Sequence, residues 1–487
     1  MKMRVGSRKS DLAQIQSRIV AETLKSVQPD LEVEFVFKDV GVDLNLNISL
    51  VEAESKGLFT KDLSQDLIQG RIDAVVHSWK DLPTAGPAET TVVATLLRED
   101  PRDLVFVKKT ALNKKEITFL SSSPRREENL GRFVQDYVFP QSKLTFLAVR
   151  GNLPTRMKKF MESDGDALVL ALAAVKRLLQ YGNEESRKAL AEVMAICEVL
   201  VVPVINNPPA PAQGALAIEI KKDRKDLVEL FSKINHVTSF EDVIAERERL
   251  KDFGGGCHLK LGIYQRSTER GTLKIERGLT PDGAPLSLTQ WEPLHPLPKV
   301  NPKAFFDATE LKYFERNPLN ASKPSAESPC FYLVSKAEAL PENWLKTGDV
   351  LWVAGLESWK KLREKGHWVS GSNESLGESF MELPLELWPS HRVLKLAHNR
   401  APQGVGELLS TYELVAKKGA VIPTLKPYEI FYWPSGSLFL ACLEHDPSIV
   451  QKLHVCGLGN TFDELKKHIP QERLFCVLNR EDCLPQF

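Results

Sequence analysis

The sequence predicts an α/β protein of several domains: two α/β lobes, a small α+β domain, and a further α/β domain at the C-terminal end. Short apolar or alternating runs follow one another with amphipathic stretches between them, which is the strand–helix order of α/β folds. The 487 residues exceed what one core supports and, at roughly 150 residues per domain, correspond to about three. A stretch rich in Pro, Asn and Ser over residues 293–330 separates two patterned regions and reads as a linker with a short helix inside it.

Residues 3–6 read as a strand and Ser7 to Leu24 as a helix, because Leu12, Ile15, Ile19 and Leu24 recur near helical spacing. LEVEFVF, residues 31–37, alternates as a strand does. TKDLSQDLIQ, residues 60–69, opens like a capped helix with Thr60 at the N-cap and Leu63 and Leu67 on one face. IDAVVHS is a buried-type strand, and residues 91–97 and 103–107 are further strands. These form the first lobe, 1–99, to which residues 198–220 are expected to return. The second lobe, 104–194, holds ITFLSS, a helix around ENLGRFVQDY, KLTFLAV, the helix TRMKKFME, the apolar run DALVLALAAV and a helix near 184–192. A chain that crosses out and back in this way leaves two lobes facing a cleft, a geometry suited to a substrate pocket. Residues 224–252 are helical, Gly254 to Gly256 stop them, and HLKLGIYQRS and GTLKIERGLT are strands, giving a small domain over 224–290. Residues 331–487 resume the α/β pattern; there DVLWVAG…LREKG and KLHVCGLGNTFDELKKH are weakly alike, each a strand, a Gly turn and a helix. Tyr412 is expected on a helix.

Lys plus Arg total 64 and Asp plus Glu total 64, so no global field favours nucleic acid, and any anion site must be built locally. Seven cysteines are too few and too scattered for a disulfide framework and fit a reducing compartment. No run approaches 18 apolar residues and MKMRVGSRKS lacks a signal-peptide core, so a cytoplasmic protein with no membrane partner is expected.

Three features carry chemistry. Arg8, Lys56, Lys61, Lys80, Arg125, Arg126, Arg150, Arg156 and Arg177 sit at strand–helix junctions or in Gly/Ser-rich turns, where α/β folds place ligands. Cations converging there would take a polyanion, with Arg gripping carboxylates in bidentate fashion; otherwise they are solvated surface charge. Arg125–Arg126 after SSSP is the sharpest case, since two cations at a helix start oppose its dipole, and a bound anion would remove the conflict. HSWKDLPT, residues 77–84, ends a strand in His77, Lys80 and Asp81. Asp81 is a candidate general acid/base or a partner for a cationic intermediate, or else a turn cap, and His77 is equally a hydrogen-bonded structural residue. GGGCH puts Cys257 on a flexible turn, as a nucleophile, an attachment point or an inert thiol. No Cys/His spacing supports a metal site.

Over about residues 1–290 the chain resembles the porphobilinogen deaminases (hydroxymethylbilane synthases). The stretches are VGSRKSDLAQIQ, SKGLFTKDL, GRIDAVVHSWKDLPT, REDPRDLVF, SSSPRREENL, VRGNLPTRMKK, LALAAVKRLL, PAPAQGALAIE, and ERERL followed by GGGC, all in the family's order. The resemblance implies two periplasmic-receptor-like lobes and a third domain carrying a covalent dipyrromethane cofactor on Cys257. It implies the head-to-tail joining of four porphobilinogens, with ammonia released, by a monomer whose only partner is this small molecule. Asp81 matches the catalytic aspartate, with Lys80 beside it; its implied task is to help ammonia leave and to stabilise the azafulvene cation that results. Lys80, Ser122, Arg125, Arg126 and Arg150 match cofactor-binding positions. Arg8, Ser10, Lys56, Phe59, Lys61, Arg156 and Arg177 match substrate-binding ones. The chain departs from the family pattern at VGVDLN (Gly41 and Asp43), at ESKG, and at Trp79, Pro124, Ala174 and Ala212, the last at a Gly position.

Residues 331–487 resemble a shortened uroporphyrinogen-III synthase in VLWVAGLESWKKLREKG, in RVLKLAHNRAPQGVGELLSTYELVAKKGAVIPTLKPYEI, and in WPSGSLFLACLE with HVCGLGNTFDELKKH. The usual opening strand and Arg-Pro stretch is absent. The resemblance implies closure of the linear tetrapyrrole with its last ring flipped, and a tethered second site raises the effective concentration of an unstable intermediate. Ser435, Ser437, Asn460 and Thr461 in strand-end loops, with Tyr412 and Tyr428, are the candidates to bind it. The alternatives are a non-catalytic C-terminal domain, or a solute-binding protein on the same fold.

Overall fold

The structure, a computed structural model, describes residues 2–39, 61–256, 259–298, 301–325, 328–378, 380 and 382–484. It divides into two units: residues 1–267 with 273–289, and residues 268–272 with 290–487.

The first unit begins with β1 (Lys2–Arg8), α1 (Asp11–Val27), β2 (Glu32–Lys38), α2 (Lys61–Ile68), β3 (Ala74–Ser78) and β4 (Thr90–Ala94). There follow β5 (Asp103–Lys108), β6 (Glu116–Leu120), a π-helical turn (Arg126–Leu130) running into α3 (Gly131–Tyr137), β7 (Lys143–Leu147), α4 (Leu153–Glu162), β8 (Ala167–Ala171), α5 (Leu172–Tyr181) and α6 (Glu184–Ile196). Then come β9 (Cys197–Val201), β10 (Leu216–Lys221), α7 (Lys225–Ser232), α8 (Val237–Asp252), β11 (Leu261–Thr268), β12 (Gly271–Leu279) and β13 (Pro285–Pro293). β1 runs two residues beyond the expected strand, because its parallel pairing with β2 continues to Arg8↔Lys38 and the Lys9 N–H donates to the Lys38 carbonyl. The helix expected from Ser7 therefore starts at Asp11, where Ile15, Val20, Ala21 and Leu24 become buried.

Two sheets of one plan result, ordered β2-β1-β3-β10-β4 and β7-β6-β8-β5-β9. In the first, β1 is parallel to β2 and β3, while β10 runs antiparallel between β3 and β4. In the second, β6 is parallel to β7 and β8, while β5 runs antiparallel between β8 and β9. Residues 198–201, expected back in the first lobe, thus pair in the second sheet as β9, and the return follows Val201. Burial on both faces explains the apolar runs: β5 and β8 are almost wholly inaccessible, and each large side chain so buried contributes about 1.5–3 kcal/mol. A three-stranded sheet, β11-β12-β13, follows α8, and its third strand was not expected.

The second unit has β14 (Phe305–Asp307), β15 (Phe314–Pro318), β16 (Cys330–Val334), β17 (Val350–Val353), α9 (Leu356–Glu364), β18 (Gly371–Ser372), β19 (Arg392–His398), β20 (Glu407–Ala416), β21 (Ile430–Trp433), α10 (Gly436–His445), β22 (Leu453–Gly457), α11 (Asn460–Leu465) and β23 (Leu474–Val477). They form a six-stranded sheet, β15-β20-β19-β16-β17-β18, and a four-stranded parallel sheet, β14-β21-β22-β23. The stretch expected to be a linker supplies an edge strand to each: β14 pairs with β21, and β15 pairs antiparallel with β20. Tyr412 lies on strand β20, not on a helix, because β20 is laddered on both sides, to β15 and to β19. The two strand–Gly–helix repeats expected here are β17–Gly355–α9 and β22–Gly459–α11.

Candidate functional site

Parallel strands end together, so topology brings the chemistry to one edge of each sheet of the first unit. Arg8 closes β1, and Ser78 to Asp81 follow its neighbour β3. Because β10 is antiparallel, with Leu216 opposite Ser78, the loop before it (Ala212, Gln213, Gly214) reaches the same edge. In the second sheet Ser121 to Arg126 follow β6, and Arg150 to Arg156 follow β7. Antiparallel β5 begins at this edge, which places Asp103 opposite Ala171 at the end of β8.

Asp103 is the centre of the cluster and was not among the expected site residues. Fully buried, its carboxylate accepts from Arg125 Nη2 and from Arg126 Nη2 at 2.8 Å each, from Asn207 at 2.9 Å and from Gln213 at 3.0 Å. Burial alone would raise its pKa; the two guanidiniums outweigh that and hold it far below the usual carboxylate range. The anion expected to relieve Arg125–Arg126 is therefore, in this structure, a side chain of the protein. Arg125 also donates to Asn207 Oδ1 and the Pro208 carbonyl, whereas Arg126 Nη1 reaches the Val169 carbonyl and its buried Nε has no hydrogen-bond partner among the described residues.

Lys80, half-buried, donates to Gln213 Oε1 at 3.1 Å. Burial lowers its pKa, Arg126 and Arg125 lower it further, and Asp81 and Asp103 oppose them. Arg156 is lowered to about 10 by burial and by Arg126, against Asp81, and its Nε is held by the Gly151 carbonyl at 2.8 Å. Asp81 itself is exposed at the end of its 3-10 turn. Asp81, Lys80, Arg126 and Arg156 thus share one field. Ser122 Oγ donates to the Val149 carbonyl at 2.8 Å and so ties the β6 and β7 loops together; Arg150 follows, half-buried. Ser10 precedes α1 without capping it through its side chain. Arg177 is drawn elsewhere: its Nη2 donates to the Gly214 carbonyl at 2.6 Å, and burial lowers it to about 10 against the attraction of Glu99. Lys56, Phe59 and Cys257 lie outside the described residues, as do Gly41, Asp43, ESKG and the side chain of Lys61.

Supporting residues had no sequence signal of their own. Arg247 of α8 donates to the carbonyls of Trp79, Leu82 and Pro83 and fixes the turn that carries Lys80 and Asp81. Trp79 fills a buried cluster with Ala212, Ala215, Ala217 and Val243 and packs 5.2 Å from the Phe240 ring. Gln16 and Ser78 exchange hydrogen bonds behind the turn. Glu246 binds both Nη atoms of Arg98, at 2.6 and 3.0 Å, and accepts from the Ala212 N–H at 2.7 Å. His77 donates to or accepts from nothing in the cluster: it pairs with buried Glu219 at 2.9 Å, the structural alternative. The Gly-rich loop that ends at Gly256 passes close to the turn, since a Cβ on Gly255 would lie 2.9 Å from Thr84 Oγ1, three residues beyond Asp81.

In the second unit Ser435 caps α10, accepting from the Leu438 N–H, and Ser437 lies in that helix's first turn. Asn460 and Thr461 open α11 after β22, the parallel neighbour of β21, so all four share one edge. Tyr412 is buried, 5.8 Å from the His398 ring. Tyr428, in the loop before β21, packs on Phe306 at 5.0 Å in an aromatic cluster. Among the described residues no helix is long and apolar enough to cross a membrane, and no group of three or more His, Cys, Asp or Glu could hold a metal.

The family model described as porphobilinogen deaminase, dipyromethane cofactor binding domain, matches residues 3–229. A porphobilinogen deaminase of Syntrophomonas wolfei is 38% identical over 280 residues, spanning 57% of this chain and 84% of the relative. That of Bacillus anthracis is 34% identical over 280 residues, spanning 56% and 83%. That of Gloeobacter violaceus is 34% identical over 276 residues, spanning 56% and 79%. Among solved structures, the reduced OxyR regulatory domain of Pseudomonas aeruginosa aligns at 16% identity over 48% of this chain and 95% of that chain, with a TM-score of 0.25, too low to bear on the fold.

Proposed function

The chain belongs to the porphobilinogen deaminase family, and we propose that it condenses porphobilinogen into linear hydroxymethylbilane at the edge where Asp81, Lys80, Arg126 and Arg156 meet. The observation that carries the assignment of residues is an unsatisfied cation: Lys80, Arg126 and Arg156 share a field with Asp81 and Asp103, and among the described residues one buried guanidinium nitrogen of Arg126 lacks an acceptor. A cluster in that state accommodates carboxylates, and the family's dipyrromethane cofactor carries acetate and propionate groups. When bound, the cofactor supplies the pyrrole terminus on which the chain is extended.

The residues then divide the work. Arg126 and Arg156 neutralise the acid side chains of the pyrroles, with Lys80 between them. Arg125 and Asn207 keep Asp103 aligned, so that Arg126 is aimed rather than loose. Asp81, exposed on a turn fixed by Arg247, holds a proton at its carboxylate for the departing amine and stabilises the positive charge that develops at the aminomethyl carbon. Arg8, Ser10, Ser122, Arg150 and Arg177 support the two walls, and Lys56, Phe59 and Lys61 complete the substrate contacts. Cys257 is the attachment atom; the nearness of Gly255 to Thr84 favours this by bringing its loop beside the Asp81 turn. A monomeric state and a cytoplasmic setting complete the proposal, the last favoured by six described cysteines that are all free and buried. Intact mass of the purified protein is the test. A mass excess of two linked pyrroles, lost in Cys257→Ser, supports the assignment; bare protein that acquires nothing from porphobilinogen defeats it.

For the second unit we propose closure of the linear tetrapyrrole to uroporphyrinogen III, rather than a purely structural role. The parallel strands of its two sheets bring their carboxyl ends together at one place, since a Cβ on Gly377, in the loop after β18, would lie 2.5 Å from Gly459 Cα, in the loop after β22. Ser435, Ser437, Asn460 and Thr461 gather at that edge. A product assay separating type III from type I rings decides it: type I alone from the full chain rejects the synthase role.

A further inference from the structure

Lys395 of β19 is a buried cation, 3% exposed, in the middle of the six-stranded sheet of the second unit. Its Nζ meets Glu378 Oε1 at 2.6 Å and the Pro402 carbonyl at 3.2 Å. The same Glu378 oxygen accepts from Asn460 Nδ2 at 3.1 Å, and the other oxygen accepts from the Val405 N–H at 3.4 Å. Glu378 therefore joins the two sheets of this unit at the edge where each would receive a ligand. Gly404 leaves the room this needs, since a Cβ there would lie 2.2 Å from Glu378 Oε2 and 2.8 Å from Lys395 Nζ. The loop that delivers Glu378 is strained: Glu374 and Ser375 are consecutive non-glycine residues in the left-handed region, at φ +56° and +62°.

Further cations gather near Lys395. Arg316, Lys395 and Arg400 all act on the half-buried His398 ring, and together with burial they depress its pKa to about 4. Arg400 lies 5.8 Å over the Phe314 ring, and Tyr412 packs on His398. Glu378 is thus a carboxylate set on a buried lysine, with Arg316 and Arg400 acting on the same neighbouring His398, and is held there by a strained loop.

We propose that Lys395 is a carboxylate-binding position with Glu378 as its internal stand-in, and that a polycarboxylate ligand displaces Glu378, frees Asn460 and opens the edge between the two sheets. The choice of ligand rests on the reading that this unit receives a linear tetrapyrrole; the exchange itself rests on the Lys395–Glu378–Asn460 geometry. One carboxylate replaces another on the same ammonium, so the buried charge is never left unpaired, which is the condition that makes such an exchange accessible.

The test uses the full chain and uroporphyrin I, an octacarboxylate tetrapyrrole, with hydrogen exchange read in peptides covering residues 373–378, 403–406 and 457–461. In the wild type the probe raises exchange at Val405, whose acceptor is Glu378. Glu378→Gln keeps the shape and removes the competing charge; its half-saturating probe concentration, read in 457–461, falls about tenfold, the size of one charge-assisted contact. The double variant Lys395→Met/Glu378→Leu replaces the pair by apolar groups, so that folding is preserved, and shows a rise of at least about tenfold. Deaminase turnover is unchanged in both. Unaltered exchange at Val405 with probe bound, equal half-saturation in Glu378→Gln, or wild-type binding by the double variant each overturns the proposal. Exclusive type I product alongside the expected exchange pattern would reject the synthase role and leave the exchange standing.

Discussion

Asp103 and Arg126 are joined at 2.8 Å, yet among the described residues the buried Nε of that same guanidinium has no hydrogen-bond partner. The pair is half-satisfied by the protein and half held open. Asp103→Asn removes the carboxylate that accepts from Arg126 and leaves two buried guanidiniums side by side. Breaking a buried pair from one side costs about 3–5 kcal/mol. The urea unfolding midpoint of the first unit is expected to fall accordingly; a shift under about 1 kcal/mol would show that a ligand, not Asp103, neutralises the arginines.

Asp81→Asn keeps size and hydrogen bonding and removes the charge from an exposed turn. Turnover of porphobilinogen is expected to drop about 10²–10⁴-fold, the usual worth of a positioned acid/base group. The cofactor mass is expected to persist, since Arg126, Arg156 and Lys80 are untouched. A drop of less than about tenfold would remove Asp81 from the chemistry.

The loop before β10 separates two backbone effects. A Cβ on Gly214, at φ +91°, would lie 2.2 Å from the Glu99 carbonyl oxygen, so Gly214→Ala is expected to cost about 3 kcal/mol or more and to displace Arg177 from the Gly214 carbonyl. Ala212, two residues earlier, already stands at φ +67°. Ala212→Gly relieves about 1–2 kcal/mol of left-handed strain and forfeits about 0.8 kcal/mol of buried methyl, so the net change is expected within about 1 kcal/mol. Paired denaturation curves check both.

His454 gives the second unit an acid dependence. Its Nδ1 accepts from Trp433 Nε1 at 2.8 Å, which leaves Nε2–H to donate to the Ile449 carbonyl at 2.9 Å, and burial lowers its pKa to about 4. The neutral ring is the folded form. Its contribution is therefore complete above the unfolded value near 6.5 and is lost as pH falls towards 4, because the unfolded chain binds the proton first. The full span is about 3 kcal/mol. His454→Phe is expected to flatten the stability–pH curve between those limits and to lower stability at pH 7 by about 1–2 kcal/mol through the orphaned Trp433 N–H. A curve as steep as the wild type's would show that other groups set it; half-buried His398, lowered to about 4, acts with the same sign.

The sequence made most strands and helices of the first unit legible, because β3, β5 and β8 are buried on both faces and their apolar runs are continuous. Elements short of such a signal were misread. β14 and β15 are edge strands in a Pro- and Asn-rich stretch, and β20 alternates too loosely to declare itself before its partners are known. At the proposed site, the sequence singled out residues in recognisable turns, such as Asp81, Arg126 and Arg156, and these share one field in the fold. Asp103, Arg247 and Glu246 were not singled out: each acts on a partner more than twenty residues away, through contacts that only the folded chain supplies. The conflict between Arg125 and Arg126 was visible in sequence, but not that a strand beginning twenty-two residues earlier resolves it.

The interleaving of the two five-stranded sheets fixes an order of events on the ribosome. β4 hangs on β10, so the N-terminal sheet stays incomplete until residue 221 has been synthesised, whereas the sheet of β5 to β9 has all its strands by residue 201. The part of the molecule made second is therefore the part that closes first. Until then Trp79 and the apolar face of β3 lack their covering partners, so slowed translation across residues 202–221 is expected to lower the yield of folded protein.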